Sequence, residues 1–588
     1  MKRIALIEKK KCNPAMCGDF LCMRVCPVNR RGDECITVDE DSKKPLIDEK
    51  LCIGCGICPK KCPFEAISIV NLPSKLNEDP VHRFGQNGFH LFNLPMPIFG
   101  KVVGIIGRNG IGKSTALSIL AGIIKPNLGK DNFSATTRDL IEQYKGSELQ
   151  NYFERLEKEE IVVSFKPQQV SLIPKSFSGT VRKLLKERDD KNQFDEITKK
   201  LELTNVLDRD VNQISGGELQ RVAIAATVLK KANVYFFDEP TSYLDIKQRI
   251  KVSKFIKELA DEKTAVLIIE HDLIILDYMT DYIHISYGKP GAFGVISSIQ
   301  NTREGINEYL SGFLRKDNVR FRTNEINFEE RPPLNLNKEA VKLVSWNNLS
   351  KKLGDFSLTG EKGELHKHYI TGILGENGIG KSTFAKILAE EIEPETGAIE
   401  GSAVIAYKPQ YIDTDSDETV RTFLSEAIKK FKTQLINPLE LERYYDEKLH
   451  ELSGGELQRD MIAKVLSKEA DIYLLDEPSA YLDVEQRLVA SKVIRKIAED
   501  KGNAALIVDH DLLFMDYLSD DLIVFNGVPS KSGHVKGPFS MQEGMNLFLD
   551  SLKISMRRDH ETKRPRINKL NSQLDREQKS TNKLYYSH

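Results

Sequence analysis

One set of four motifs occurs twice in this chain, in the same order, and that repetition limits its fold more than any other feature. GRNGIGKST (residues 107–115) recurs as GENGIGKST (375–383), and SGGELQR begins at Ser215 and again at Ser453. VYFFDEPTSYLD ends at Asp245 and IYLLDEPSAYLD at Asp483, while IIEHD ends at Asp272 and IVDHD at Asp511. A lone phosphate-binding loop is weak evidence, because an Asp-Glu-Pro after a strand is often only a turn and a single histidine is usually not catalytic. Four motifs repeated in order point to two copies of one nucleotide-binding unit. At 588 residues the chain is long enough for several domains.

Each motif has a mechanical reason. KVVGIIG and HYITGILG read as buried parallel strands entering the loops. The loop residues Gly107, Asn109, Gly110 and Gly112, with Gly375, Asn377, Gly378 and Gly380, aim backbone N–H groups at phosphate oxygens. Lys113 and Lys381 reach the β- and γ-phosphates, Ser114 and Ser382 offer hydroxyls to Mg²⁺, and Thr115 and Thr383 follow on helices whose N-termini face the phosphates. YFFD and YLLD are second strands ending in Asp238 and Asp476, placed to bind Mg²⁺. Glu239 and Glu477 follow as the residues that polarise the attacking water. His271 and His510 are candidates for contacting the γ-phosphate, and Gln168 and Gln410 for sensing Mg²⁺ and the water.

All nine cysteines lie between Cys12 and Cys62. They form two runs, Cys12-x4-Cys17-x4-Cys22-x3-Cys26-Pro27 and Cys52-x2-Cys55-x2-Cys58-x3-Cys62-Pro63. The second has bacterial ferredoxin spacing for a [4Fe–4S] cluster, in which three thiolates serve one cluster and the fourth serves its neighbour. By that logic Cys12, Cys17, Cys22 and Cys62 hold one cluster, and Cys52, Cys55, Cys58 and Cys26 the other. Cys35 is left over as a free structural thiol. Structural zinc is the alternative, since Cys-x2-Cys is also zinc spacing. Cysteines so concentrated do not describe a disulfide framework; they predict a reducing, cytoplasmic setting. No apolar leader core and no run of membrane-spanning length is read, and the net charge of −1 confines any nucleic-acid surface to a local patch.

The halves differ. Lys113 to Gln168 is 55 positions and Lys381 to Gln410 is 29, so the first unit carries 26 extra residues, read as a helix–turn–helix insertion at about 130–160 or, alternatively, as a solvated hairpin. Residues 288–322 are glycine-punctuated and then basic; from Lys553 onward there are 10 Lys+Arg against 4 Asp+Glu. That tail, with Tyr585 and Tyr586, reads either as an RNA-phosphate contact or as a connector packed on the two units. Phe84 is the candidate for stacking on adenine in the first site, with no choice made in the second.

The motif set resembles the ATP-binding cassette family: α/β, with two P-loop cassettes head to tail. The resemblance implies two ATP sites, Lys113 completed by Ser453, Gly454 and Gly455, and Lys381 completed by Ser215, Gly216 and Gly217, with Asp245 and Asp483 as D-loops. Joined to a ferredoxin-like α+β iron–sulfur domain, the chain resembles throughout the ribosome-recycling, RNase L inhibitor family of archaea and eukaryotes. This implies an N-terminal domain at 1–72, cassettes at 73–287 and 334–530, and hinge segments at 288–333 and 531–588. It implies a monomeric, membrane-free ATPase that splits ribosomes with a release factor or Pelota-type factor. Such a protein stays on the small subunit, against ribosomal RNA and protein, and has initiation factors as further partners. The alternative is an iron–sulfur ATPase gating electron transfer to a partner.

Overall fold

The structure is a computed structural model and describes residues 3–72, 79–130, 132–328, 341–401, 403–410 and 416–586. The expected domain boundaries at 72/73 and 333/334 involve residues outside the described set.

The first cassette is built on a sheet whose order is His82–Arg83, His90–Phe92, Phe293–Ile296, Tyr282–Lys289, Val102–Ile106, Ala265–Ile269, Val234–Asp238 and Val163–Lys166. From Tyr282–Lys289 to Val163–Lys166 every neighbour is parallel. VVGII, AVLII and VYFFD are buried along their whole length, as parallel strands covered by helices on both faces must be. Each such Val, Leu, Ile or Phe contributes about 1.5–3 kcal/mol by leaving water. The second cassette repeats this core with Asp521–Val528, Ile370–Leu374, Ala504–Val508, Ile472–Asp476 and Ile405–Lys408. The α/β reading with two cassettes therefore holds.

Two boundaries read from sequence need correction. The 287/288 division cuts the strand Tyr282–Lys289, whose hairpin partner Phe293–Ile296 also belongs to the first sheet. The 530/531 division cuts the turn between Asp521–Val528 and Ser532–Ser540, which pair in the second sheet. Glycine-punctuated stretches mark hairpin turns here, not domain ends.

The insertion forms the helices Thr137–Gln143 and Glu148–Glu157. Leu140, Leu149, Tyr152 and Phe153 are buried in the first cassette's core, and the Tyr152 hydroxyl donates to the Leu120 carbonyl at 2.9 Å. A solvated hairpin would not bury that face. The second cassette instead has the strand Thr396–Glu400, paired with Lys342–Leu353.

At the N-terminus Arg3–Ile7 pairs antiparallel with Ile67–Asn71. Successive side chains of a strand alternate in direction. Ala5 and Ile7 accordingly pack with Cys12, Cys22, Cys26 and Cys58, whereas Ile4 and Leu6 join the core of the cassettes. This sheet is apolar on both faces because it joins the cysteine unit to the rest of the molecule.

Candidate functional site

Both phosphate loops end on a left-handed glycine that caps a helix: Gly112 (φ 85°) before Lys113–Leu120, and Gly380 (φ 93°) before Lys381–Leu388. A Cβ at Gly112 would lie 2.9 Å from the Phe89 ring, and one at Gly380 would lie 2.8 Å from the Phe356 ring. Only glycine fits between aromatic ring and loop. The buried Lys113 donates to the carbonyls of Gly107 (2.8 Å) and Arg108 (2.6 Å), and Lys381 to those of Gly375 (3.0 Å) and Glu376 (2.6 Å). Burial lowers the pKa of both ammonium groups. Each lies folded over its loop, where phosphate oxygens would replace the carbonyls.

Asp238 and Asp476 end their strands at the sheet's carboxyl edge, where open α/β sheets bind ligands. Ser382 Oγ donates to Asp476 Oδ2 at 2.8 Å, while Asp238 Oδ1 is buried with no hydrogen-bond partner among the described residues. A buried carboxylate oxygen beside a serine hydroxyl suits a hard oxygen-seeking cation. Glu239 and Glu477 both have φ 47°, in the left-handed region, a backbone strain that tends to persist at functional sites. Gln168 Nε2 donates to Glu239 Oε1 at 2.5 Å, and Gln410 Nε2 to Glu477 Oε1 at 2.7 Å. His271 Nε2 lies 3.6 Å from Glu239 and His510 Nε2 3.7 Å from Glu477. Burial, and next the Lys113 or Lys381 charge, pushes both imidazoles well below the usual histidine range, so they are neutral. Burial, then the charges of Asp476 and Asp509, raises Glu477 to about 7.

Several supporting residues went unread in the sequence. Lys166 and Lys408, fully buried, donate to the carbonyls of Asp238 and Asp476 at 2.8 Å. Gln220 and Gln458 donate to the Glu239 and Glu477 carbonyls at 2.6 Å. Glu270 accepts from the backbone of His271 and Asp272, as Asp509 does from His510 and Asp511. The signal was available: all of these lie in or beside segments that recur in both halves. Phe84 is half exposed and meets His82 edge-on at 4.7 Å between ring centroids. The ring against the phosphate loop is Phe89, and its counterpart is Phe356; each opens a Phe-x-Leu that recurs before its loop.

The halves meet reciprocally. Asp483 caps the helix Val484–Lys501 with one oxygen, and with Oδ2 accepts from the Asn109 N–H of the other cassette at 2.9 Å. Asp245 does the same for Asn377, also at 2.9 Å. Ser215 and Ser453 cap the signature helices through Glu218 and Glu456. One cavity of about 2100 Å³ between the cassettes is lined by both lysines and by the Gly216-Gly217 and Gly454-Gly455 pairs. Four helix ends of the kind that bind anions, two from the phosphate loops and two from the signatures, thus open on one cavity.

The cysteines fall into two neighbourhoods. Cys12 feels Cys62 and Cys17, and Cys22 feels Cys12 and Cys17. Cys58 feels Cys52, Cys55 and Cys26 most strongly. Burial first, then these neighbours, pushes the Cys58 thiol up to about 12. Among the described residues no three His, Cys, Asp or Glu side chains converge tightly enough for a single ion. A cluster, by contrast, spreads its thiolates over four irons, and two sets of four thiols fit that donor pattern. The buried Cys35 thiol lies near Cys26 and Cys52 and donates to the Asp48 carbonyl at 3.9 Å.

The C-terminal segment is a connector in its contacts. Tyr585 and Tyr586 both donate to Asp516, Tyr585 buried and Tyr586 partly so, which ties both rings to the second cassette as a connector requires. Arg566 grips Asp277 of the first cassette bidentately at 2.6 and 3.0 Å, and Asp559 at 3.1 Å.

Twin reciprocal nucleotide sites behind a cysteine-rich unit define an iron–sulfur ATPase of the ATP-binding cassette class. In agreement, the sequence matches the ABC transporter family at residues 98–242 and 358–480, and the 4Fe-4S binding domain family at 45–68. Translation initiation factor RLI1 of Saccharomyces cerevisiae is 44% identical over 597 residues, covering 99% of this chain and 98% of that one. A structure of ribosome-bound archaeal Pelota and ABCE1 matches with TM-score 0.93 and 53% identity, covering 100% of this chain and 99% of that one. A structure of an RNase-L Inhibitor matches at TM-score 0.82 and 50% identity, over 87% of this chain and 100% of that one. The chain belongs to the RNase L inhibitor family of ATP-binding cassette proteins.

Proposed function

We propose that the protein is an ATP-driven ribosome recycling factor. With a release factor or Pelota-type factor it splits ribosomes into subunits, then stays on the small subunit and hinders reassociation. Support comes from full-length likeness to an ABCE1 bound with Pelota on the ribosome and to a yeast protein named as a translation initiation factor. No helix among the described residues is long and apolar enough to cross a membrane, and the work belongs in the cytoplasm, where ribosomes are.

The observation that carries the reading is mechanical. The iron–sulfur unit is bonded to the first cassette through Asn87 and reaches the second through Lys11, which lies 3.4 Å from the Arg443 carbonyl and 3.8 Å from Glu447. A change in the angle between cassettes must break one attachment or move the unit. ATP bound at Lys113 draws in the signature at Ser453, and ATP at Lys381 the signature at Ser215; phosphate charge satisfies donors on both sides and closes the jaws. Glu239 and Glu477, held by Gln168 and Gln410, then polarise water, and the neutral His271 and His510 donate to the γ-phosphate. Mg²⁺, when held by Ser114, Asp238 and Gln168 or by Ser382, Asp476 and Gln410, supplies charge neutralisation at the phosphates. Two clusters, when held by Cys12, Cys17, Cys22 and Cys62 and by Cys52, Cys55, Cys58 and Cys26, supply crosslinks that stiffen a unit too small for a large apolar core.

Sedimentation of ribosomes on a sucrose gradient tests this reading. Protein, Pelota-type factor and ATP should convert ribosomes to free subunits, and Lys113→Ala or Lys381→Ala should block conversion. Glu239→Gln with Glu477→Gln should leave protein trapped on small subunits. Ribosomes that stay intact with the unmodified protein would overturn the proposal.

A further inference from the structure

Two ion pairs cross between the cassettes at equivalent positions with their signs exchanged. After the first loop glycine stands Arg108 in the first cassette and Glu376 in the second; two residues past the D-loop aspartate stand Lys247 in the first and Glu485 in the second. Lys247 Nζ lies 2.7 Å from Glu376 Oε1, and Arg108 Nε lies 3.5 Å from Glu485 Oε2. Pairing of like cassettes would set Arg108 against Lys247 and Glu376 against Glu485, so the charges favour the unlike pair.

The two crossings are not equal. The other Glu485 oxygen accepts from Arg322 Nη1 at 2.7 Å and from the Tyr309 hydroxyl at 3.3 Å, both in the segment that connects the cassettes. Arg322 is itself held by the carbonyls of Tyr309 and Leu310. Glu485 and Arg322 side chains are 16% and 15% exposed and Arg108, which also faces Glu440 at 3.4 Å, is 31% exposed, against 38% and 29% for Lys247 and Glu376. Among the described residues the Lys247–Glu376 pair has no comparable bond to that segment. Charges held away from water couple more strongly than exposed ones.

We propose that Glu485 is a positioning residue that ties the connecting segment to the first ATP site and not to the second. With Asp483 on the Asn109 N–H, Glu485 on Arg108 makes a two-point clamp on the first phosphate loop, and Arg322 and Tyr309 set the clamp's position. The inference rests on the composite-site reading above.

Steady-state ATPase of the full chain tests it, one site at a time. Glu477→Gln leaves the Lys113 site to report, and Glu239→Gln leaves the Lys381 site. Remaining turnover must vanish on adding Lys113→Ala or Lys381→Ala respectively; if it does not, the composite-site reading fails, not the coupling. Glu485→Gln should raise KM for ATP at the first site by about fivefold to tenfold, with kcat within about twofold, and move the second site by less than about twofold. Arg322→Gln, remote from the nucleotide, should reproduce the first-site effect, and the double variant should add nothing to it. Equal losses at both sites, no first-site change, or additive losses in the double variant would overturn the proposal.

Discussion

Replacing Asn87 separates the seating of the iron–sulfur unit from the chemistry of the cassettes. Asn87 is 2% exposed, and its side chain both accepts from the Ile47 N–H at 2.8 Å and donates to the Ile47 carbonyl at 2.9 Å. Ile47 is 1% exposed, so losing Asn87 strands two backbone groups where water is excluded. Each stranded group costs about 1–2 kcal/mol, and the pair about 2–4 kcal/mol. Asn87 also has φ 61°, so alanine would add backbone strain; glycine keeps the conformation and removes only the two bonds. Asn87→Gly should therefore speed native-state hydrogen exchange at Ile47 by about 30-fold to 1000-fold. Exchange in the strand Val102–Ile106 should stay as it was. The same variant should split ribosomes poorly while its ATPase persists. Ile47 protection within about threefold of the original would refute both the energetic estimate and the seating argument.

Asp460 lies in the second signature helix, buried, with neither carboxylate oxygen hydrogen-bonded, and burial raises its pKa to about 8. Its charged form is the one the fold disfavours, so stability is full below about pH 4 and declines as pH rises toward 8. Asp460→Val, the residue at the equivalent Val222, should raise the urea midpoint clearly at pH 8 and little at pH 4.5; equal shifts would count against this. With Glu239→Gln isolating the second site, kcat/KM should fall about tenfold per pH unit below about 7, as Glu477 takes up a proton; a flat profile from pH 5.5 to 7 would contradict its role as base. Arg566→Ala removes the bidentate bond to Asp277, which keeps only Arg564 at 3.6 Å, and leaves Asp559 one cation short, and should lower stability by about 1.5–3 kcal/mol in denaturant titration.

What the sequence determined by itself is local chemistry. A phosphate loop, a strand ending in Asp-Glu and a capped signature helix each need particular residues within a dozen positions, so the order of motifs was enough to read two cassettes, and cysteine spacing enough to read an iron–sulfur unit. Even the supporting Lys166 and Lys408 sat inside repeated motifs. What only the tertiary structure decided are contacts between distant parts of the chain. Asn109 and Asp483 are 374 positions apart, and nothing in either motif states that a backbone N–H of one will end on a carboxylate of the other. The bonds of Tyr585 and Tyr586 to Asp516, the ring of Phe89 against the loop, and the attachment of Glu485 to Arg322 are of the same kind. Spacing along a chain encodes turns and caps, but which surfaces exclude water from one another depends on how completed elements pack, and that settles which charged and polar groups find partners.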